Sequence, residues 1–201
     1  MVGDLDELPR AAFRTALADP PWQFDNRTGK GAPEHRRLNQ YDTMSMQEIA
    51  ALPVRELMVP PAHLYLWVPN AMLPEGLAMM KTWGFRYVTC LVWYKVRKDG
   101  GPDRRGMGFY FRNVTELILF GVWGTKAKTL APARSQENIV VTRKREHSRK
   151  PDELYSIIEA CSPAPWVELF ATSETPRPGW TYHGKPHRKP NNEEGQHGRL
   201  V

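Results

Sequence analysis

The sequence predicts a single α/β domain in which helices cover both faces of a central sheet. Short apolar runs typical of strands alternate along the chain with segments that carry helix-start signals or helical periodicity, and this alternation indicates the class. The chain has 201 residues, of which 41% are hydrophobic. That is enough for one core and too little for two comfortable domains. No apolar run reaches the roughly 18 residues that a membrane-spanning helix needs, so no membrane partner is expected.

Six apolar runs are the expected strands, and the first of them ends abruptly. Asp19 follows that run and precedes two prolines, which cannot continue a central strand, so the chain has to leave the sheet there. The expected strands are 13–18, 63–68, 87–94, 115–122, 138–142 and 166–171. Ligands of α/β sheets bind beyond the carboxyl ends of the strands. Asp19 and Glu168 are therefore expected at or near such a site.

Three helices are expected between these strands. Ser45 and Glu48 match a capping box, which predicts a helix over 46–57. A proline in the first turn predicts a second helix over 74–83. Pro151 opens a third helix, in which apolar residues recur at the spacing of one helix face. Those residues are Leu154, Ile157, Ile158 and Cys161.

The remaining segments are polar. The segments 23–43 and 95–108 are long for loops and rich in glycine and arginine, and loops of this kind are usually functional or disordered. We expect both to be mobile and to close over bound substrate. The expected division of the chain is a folded domain over 1–185 and a disordered polar tail over 186–201.

Charge favours a polyanionic partner. The net charge is +6, and the pI is near 9.4. Basic residues concentrate in 27–37 and 124–150, and two basic segments in one small domain indicate contact with the phosphates of a nucleic acid. The expected phosphate contacts are Arg27, Arg36, Arg37, Arg104, Arg105 and Lys144.

Cysteine usage gives no sign of a disulfide or a metal site. Cys90 and Cys161 are far apart, and neither has a C-x-x-C partner. We interpret both as reduced core residues and expect no metal ion. The first residues are acidic where a secretory signal would be basic and then apolar, so a cytoplasmic location is expected.

The segment Asp19-Pro20-Pro21-Trp22 carries the most informative chemistry. The exocyclic amine of adenine is a poor nucleophile because its lone pair is delocalised into the ring. Two acceptors against its N–H groups, here the Asp19 carboxylate and the Pro20 carbonyl, would favour a tetrahedral nitrogen with a localised lone pair. The tandem prolines hold that carbonyl in place. Trp22 offers a flat face on which a base that has left its stack can pack.

The sequence resembles the adenine N6-methyltransferase family typified by the catalytic subunit of the eukaryotic mRNA adenosine methyltransferase, a family with many small bacterial and phage members. The matching segments occur in family order. They are ALADPPWQF (16–24), HLYLWVPN (63–70), GFYFRNVTELILFGVWG (108–124), HSRKPDELYSIIEACSP (147–163), VELFA (167–171) and RPGW (177–180). The resemblance implies a Rossmann-like, S-adenosylmethionine-dependent methyltransferase fold, permuted so that the catalytic DPPW motif precedes the cofactor strand.

The resemblance also implies roles for single residues. Asp19 would bind the target amine beside the amino group of the cofactor, and Lys150 would hold the cofactor carboxylate. A lysine before a helix-opening proline is independently a suitable anion site. The expected cofactor contacts are Asp19, Lys150, Glu168, Leu169, Phe170, Thr172 and Lys185, and the expected catalytic residues are Asp19, Pro20, Pro21 and Trp22. Structural alternatives stay open: a surface cation for Lys150, a strand-end acid for Glu168 and a core residue for Trp22.

Two positions depart from the family pattern, and several functions stay open. Thr172 stands where relatives often have arginine, and Lys185 stands where they often have asparagine. The resemblance favours a DNA substrate over RNA, because the chain is as compact as stand-alone bacterial relatives. An RNA methyltransferase and a non-catalytic nucleic-acid-binding subunit are the alternatives. No target-recognition domain is evident, so specificity has to come from loops or from a second protomer, as in a homodimer.

Overall fold

The computed structural model describes residues 5–23, 43–103, 110–143, 149–172 and 177–184. Within them the chain forms seven strands and three α-helices, with short 3-10 turns between some of them. The strands are β1 (Phe13–Ala18), β2 (Met58–Val68), β3 (Arg86–Val96), β4 (Thr115–Trp123), β5 (Ile139–Arg143), β6 (Trp166–Leu169) and β7 (Trp180–His183). The α-helices are α1 (Met46–Ala51), α2 (Leu73–Thr82) and α3 (Glu153–Cys161), and the 3-10 turns are Val54–Leu57, Asn70–Met72 and Ala131–Ser135.

All these strands form one sheet, in the order β5-β3-β4-β2-β1-β6-β7. β4 runs antiparallel to β2 and β3, and every other neighbouring pair is parallel. The carboxyl ends of six strands and the amino end of β4 therefore meet at one edge. We call it the carboxyl edge; it carries Asp19 after β1, Asn70 after β2 and Glu116 near the start of β4. This Rossmann-like arrangement confirms the expected fold class.

Alternate residues of the central strands feed two hydrophobic layers, one on each face of the sheet. In β1, Ala16 and Ala18 pack in the layer that holds Ile49 of α1 and Met79 of α2. Leu17 points the other way, into the layer that holds Ile158 of α3. The prediction that helices cover both faces is confirmed.

The first strand of the chain pairs with one of the last. Ala18 of β1 pairs with Leu66 of β2 on one side and with Leu169 of β6 on the other. Nearer the start of β1, the Thr15 hydroxyl donates to the Pro163 carbonyl at 2.7 Å, across 148 positions of sequence. The order agrees with the expected permutation, because β1, which ends directly before Asp19, precedes β6, which carries Glu168.

The start of the first helix is as expected, and its end is not. The Ser45 hydroxyl accepts a hydrogen bond from the Glu48 amide at 3.3 Å, and the Glu48 carboxylate accepts one from the Ser45 amide at 2.7 Å. This capping box starts α1. The helix ends at Ala51 instead of continuing to residue 57. Leu52 precedes Pro53, and the proline ring disfavours the helical conformation of the residue before it.

Several strand boundaries differ from expectation, and one whole strand was not expected; β6, for example, ends at Leu169 instead of residue 171. β2 begins at Met58, five residues early, and its pairing with β1 shifts between Phe13 and Thr15, which accommodates the two prolines of β2. β3 continues to Val96, so the first residues of the expected 95–108 loop belong to the sheet. The edge strand β7 was not predicted, because it has four residues and lies in a polar stretch.

Helix α2 lies very close to the sheet because Gly76 faces it. A Cβ atom at this position would meet the two methyl carbons of Val68 at 2.6 and 2.8 Å and a methyl carbon of Leu119 at 3.1 Å. Val68 is β-branched and buried in a central strand, so it has little freedom to move away. Gly76 is therefore required by packing.

We expect Gly76→Ala to lower the free energy of unfolding by about 1–3 kcal/mol through overpacking. Alanine is the better helix former by about 1 kcal/mol at a solvent-exposed site, so the sign of the change tests the contact. Urea unfolding of the single variant and of Gly76→Ala with Val68→Ala measures it. The double variant should be more stable than the sum of its single changes predicts. A Gly76→Ala protein as stable as the parent would contradict this packing.

Candidate active site

Asp19 comes directly after β1, where the chain turns out of the sheet. Its amide hydrogen-bonds to the Leu169 carbonyl of β6 at 3.4 Å, which continues the parallel ladder by one residue. Beyond it the Pro20 carbonyl accepts from the Trp22 amide at 2.8 Å, and the Pro21 carbonyl accepts from the Met44 amide at 3.0 Å. Both proline carbonyls therefore take part in fixing the turn. A carbonyl oxygen has two lone pairs, so the Pro20 oxygen can accept a further hydrogen bond.

Lys150 joins Asp19 to a second carboxylate. Its ammonium lies 3.2 Å from an Asp19 carboxylate oxygen and 2.9 Å from one of Glu116. It also lies 4.7 Å from the centre of the Trp67 ring, within the range of a cation–π contact. The Lys150 side chain is 26% exposed. Burial alone would lower the pKa of Lys150, but the charges of the two carboxylates outweigh it and hold that pKa above its usual value.

Glu116 in turn binds a second lysine. Its other carboxylate oxygen lies 2.5 Å from the Lys95 ammonium, which is 4.9 Å from the centre of the Trp93 ring. Burial raises the pKa of Glu116, but Lys150 and Lys95 more than compensate and lower it to about 2. Asp19, Lys150, Glu116 and Lys95 thus form a row of alternating charge along the carboxyl edge, which we call the charge row.

The direction of β4 is what delivers Glu116 to this edge. Because β4 is antiparallel to its neighbours, its first residues lie at the carboxyl ends of theirs, and Glu116 pairs with Trp93 of β3. Asn70, just after β2, fixes the start of β4: its side-chain amide donates to the carbonyl and to the hydroxyl of Thr115, each at 3.1 Å. No local sequence pattern predicted the roles of Lys95, Glu116 and Asn70. The one available signal was an acidic residue at the start of an otherwise apolar strand.

Glu168 lies on the α3 side of the same edge. It pairs with Leu17 across β1 and β6, and its carboxylate accepts a hydrogen bond from the Tyr155 hydroxyl of α3 at 2.7 Å. Burial raises the pKa of Glu168 to about 7; the Tyr155 hydrogen bond opposes this shift, and the charge of Asp19 adds to it. Glu168 is therefore a carboxyl group that titrates near neutral pH beside the charge row.

The chain turns sharply after β6. Phe170 has a φ of 64°, in the left-handed region that non-glycine residues rarely adopt and that clusters at functional sites. The Ala171 amide donates to the His183 carbonyl of β7 at 2.9 Å. A Cβ on Gly184 would lie 2.2 Å from the Ala171 oxygen, so only glycine fits there. Leu169 and Phe170 have buried side chains, which leaves their backbone to meet a ligand, and Thr172 is half-buried.

Trp22 occupies a different place from the one expected. The residue is 5% exposed and packs in the layer on the α1 and α2 face. Its indole N–H donates to the Trp67 carbonyl at 3.0 Å. A ring enclosed in this way presents no face to a base in this conformation. The geometry favours the core alternative, in which Trp22 anchors the proline turn to the end of β2.

The RPGW segment braces β7 against α3. The Arg177 guanidinium binds the Glu159 carboxylate at 2.6 Å, and the Trp180 indole donates to the same oxygen at 2.8 Å. The Arg177 amide donates to the Tyr182 hydroxyl at 2.9 Å. These contacts fix β7 beside β6, and so fix the turn at Phe170.

Several expected site residues lie outside the described part of the chain: Arg27, Arg36, Arg37, Arg104, Arg105, Lys144 and Lys185. The same holds for most of the expected loop 23–43, for residues 104–109 and for the expected tail over 186–201. Among the described residues, no group of three or more His, Cys, Asp or Glu side chains is placed to hold a metal ion. No helix in the described ranges is long and apolar enough to cross a membrane.

The arrangement of this site has a counterpart in a known family. The family model described as MT-A70 matches residues 13–186, which include every strand of the sheet and the three α-helices that cover it. The chain belongs to the MT-A70 family. Methyltransferases of this family are the relatives that the resemblance predicted, and the prediction of a Rossmann-like methyltransferase domain is confirmed.

Individual relatives fall into two size classes. A putative N(6)-adenosine-methyltransferase MT-A70-like protein of Medicago truncatula is 31% identical over 84% of this chain and 25% of its own length. An N(6)-adenosine-methyltransferase MT-A70-like protein of Drosophila melanogaster is 32% identical over 88% of this chain and 27% of its own length. The Type II methyltransferase M.MunI of Mycoplasma sp. is 28% identical over 85% of this chain and 78% of its own length. The chain thus spans about a quarter of the plant and insect relatives.

The raised pKa of Glu168 predicts a pH-dependent stability. The folded protein holds this proton to about pH 7, whereas the ordinary value for the side chain is 4.5. The ionised, half-buried carboxylate therefore destabilises the fold at and above neutral pH and has no such effect below the ordinary value. Glu168→Gln should gain stability relative to the parent as the pH rises between these two values.

Urea unfolding across that pH range measures the effect. Glu153→Gln is the matched control, because Glu153 is an exposed acid at the start of α3 whose replacement should give no comparable pH-dependent difference. A stability difference between Glu168→Gln and the parent that stays constant with pH would show that Glu168 ionises normally.

Proposed function

We propose that this chain transfers a methyl group from S-adenosylmethionine to the exocyclic N6 amine of adenine in nucleic acid. One observation carries the proposal: Asp19 lies at the carboxyl edge, paired with Lys150, directly before a hydrogen-bonded proline turn in a chain of the MT-A70 family. The names of the plant and insect relatives, which refer to N(6)-adenosine, support the choice of nitrogen.

Asp19 and Pro20 are the groups that would act on the amine. The Asp19 carboxylate accepts one N–H, and the Pro20 carbonyl accepts the other. Because the turn is already fixed by the Trp22 and Met44 amides, the Pro20 oxygen needs no reorganisation during the reaction. The tetrahedral nitrogen would direct its lone pair at the methyl carbon. The nitrogen–carbon bond would form as the carbon–sulfur bond breaks to leave a neutral thioether, and the methylated nitrogen would lose the proton that faces Asp19. Positioning accounts for the acceleration.

The charged groups at the carboxyl edge fit S-adenosylmethionine, which when bound supplies a methyl group on a positively charged sulfur. Its methionine part carries an ammonium and a carboxylate, which match Asp19 and Lys150. A lysine ammonium has three donors, and Asp19 and Glu116 use two of them. The third can bind a ligand carboxylate. Thr172 and the backbone turn at Phe170 would hold the ribose side, together with Lys185, which lies outside the described residues.

DNA is the favoured substrate. The relation to the Type II methyltransferase M.MunI supports DNA. The relation to the N(6)-adenosine-methyltransferases of plant and insect is the argument for RNA as the second candidate. Transfer of labelled methyl groups to single- and double-stranded DNA and RNA, followed by nucleoside analysis for N6-methyladenine, tests both.

Asp19→Ala is expected to reduce methyl transfer at least about a hundredfold, because it removes a placed electrostatic group. The fold should survive, since Asp19 is a half-buried residue after the strand and not part of either hydrophobic layer. Single-turnover assays measure the rate, and circular dichroism checks the fold. Asp99→Ala, which removes another carboxylate from the turn after β3, is the control. Near-normal turnover by a folded Asp19→Ala protein would refute the catalytic assignment.

Lys150→Ala is expected to weaken S-adenosylmethionine binding by about tenfold or more, the effect of losing a charge-assisted hydrogen bond. Calorimetric titration of the cofactor measures this. Lys81→Ala, an exposed lysine in the last turn of α2, is the control and should bind normally. Equal affinities for the parent and a folded Lys150→Ala protein would remove Lys150 from the cofactor site.

A further inference from the structure

Two neighbouring aromatic residues stand almost fully in solvent near the site. Tyr110 is 95% exposed and Phe111 is 86% exposed, far above the other large apolar residues described as exposed, which range from 36% to 55%. Single exposed apolar residues are common and need no explanation. Two adjacent rings with almost no packing partner are different, because each presents its π-face to solvent.

These rings are tethered to the charge row. The Lys95 amide donates to the Val114 carbonyl at 2.8 Å, so the segment before β4 is bonded to the backbone of Lys95 itself. Phe111 lies three residues before Val114. At most about 3.6 Å of extended chain per residue keeps its Cα within about 11 Å of the Val114 Cα. The aromatic pair is therefore anchored at the carboxyl edge, three and four residues from the backbone bond between Val114 and Lys95.

The charge around this pair selects a polyanion. The exposed cations at the same edge are Arg97 and Lys98 after β3, Arg112 before β4, Arg143 at the end of β5 and Arg149 before α3. They outnumber the acids beside them, although Arg97 pairs with Asp99 and Arg149 with Asp152. A second copy of this chain, whose net charge is +6, would meet like charge there. A nucleic-acid strand offers phosphates to the cations and flat bases to the rings, and base–aromatic stacking tolerates any base.

We propose that Tyr110 and Phe111 form a stacking platform for an unpaired nucleobase next to the target adenine. The inference rests on the proposed function, because extraction of one base from its stack leaves its neighbours without a partner on one side. The platform replaces that lost stacking. Lys95 and Glu116 connect it to Lys150 and Asp19, so the strand is held at the edge where the target amine is bound.

Matched aromatic and aliphatic variants test the platform. Tyr110→Leu with Phe111→Leu removes both π-faces and keeps apolar bulk, whereas Tyr110→Phe with Phe111→Tyr keeps both rings. Tyr87→Leu is the positional control, since Tyr87 is 41% exposed near the start of β3, at the opposite edge of the sheet. The probes are oligodeoxyadenylate and a fully abasic deoxyribose-phosphate strand of the same length, titrated by fluorescence anisotropy over a series of salt concentrations.

The leucine pair should bind the adenine strand about tenfold more weakly than the parent and the abasic strand equally well. Its salt dependence should match that of the parent, because no phosphate contact is lost. The ring-retaining pair and Tyr87→Leu should bind both strands like the parent. Thermal unfolding of each variant confirms that the fold is kept.

Three outcomes would overturn the platform. The leucine pair could bind the adenine strand as tightly as the parent, or it could lose as much affinity for the abasic strand as for the adenine strand. The third outcome is that the parent is a dimer in sedimentation velocity and the leucine pair is a monomer. The last would assign the rings to a protein interface. Methyl transfer by the same proteins separates this inference from the proposed function. An active parent with an unaffected leucine pair defeats the platform alone. An inactive parent that still distinguishes adenine from abasic strands defeats only the proposed activity.

Discussion

The ammonium of Lys150 between two carboxylates is the interaction on which the site depends. Asp19 follows the first strand, and Glu116 lies near the start of the fourth. Their carboxylates would repel each other without a cation between them. An isolated charge at a partly buried edge is costly, and a row of alternating charge removes most of that cost. Lys95 completes the row, so the net charge of the four groups is zero. The site is thus preorganised by electrostatics that exist before any ligand arrives.

The same row explains why Glu168 behaves differently from its neighbours. Glu116 has two lysine partners and a depressed pKa, whereas Glu168 has a tyrosine hydroxyl, an apolar surrounding and the nearby charge of Asp19. The pKa values of two carboxyl groups at one sheet edge are therefore shifted in opposite directions by their surroundings alone. One is fixed as an anion, and the other can carry a proton at neutral pH. That contrast gives the edge both a permanent charge pattern and a titratable group.

Most of the architecture could be predicted, and much of the site could not. Apolar runs and the Ser45 capping box revealed the strands and the first helix start, because these signals are local. The place of Glu116 depends on the direction of β4, and direction is a property of the whole sheet that no local pattern contains. Trp22 was expected to stack on a base because its ring is flat and follows the Asp-Pro-Pro turn, but the ring packs inward against β2. The short strand β7 is specified by its contacts with α3 through Arg177, not by its own apolar content.

The pairing of β1 with β6 has a consequence for how the protein is made. The Asp19 motif leaves the ribosome before the strand that holds it in place, which follows some 148 residues later, as the contact between Thr15 and Pro163 illustrates. At about 5–20 residues per second, that interval lasts roughly 7–30 seconds. Until then β1 lacks one of its two neighbours, and the edge groups are not assembled. A nascent or truncated chain that lacks β6 consequently has the motif without the site, so the edge is assembled only after β6 has emerged.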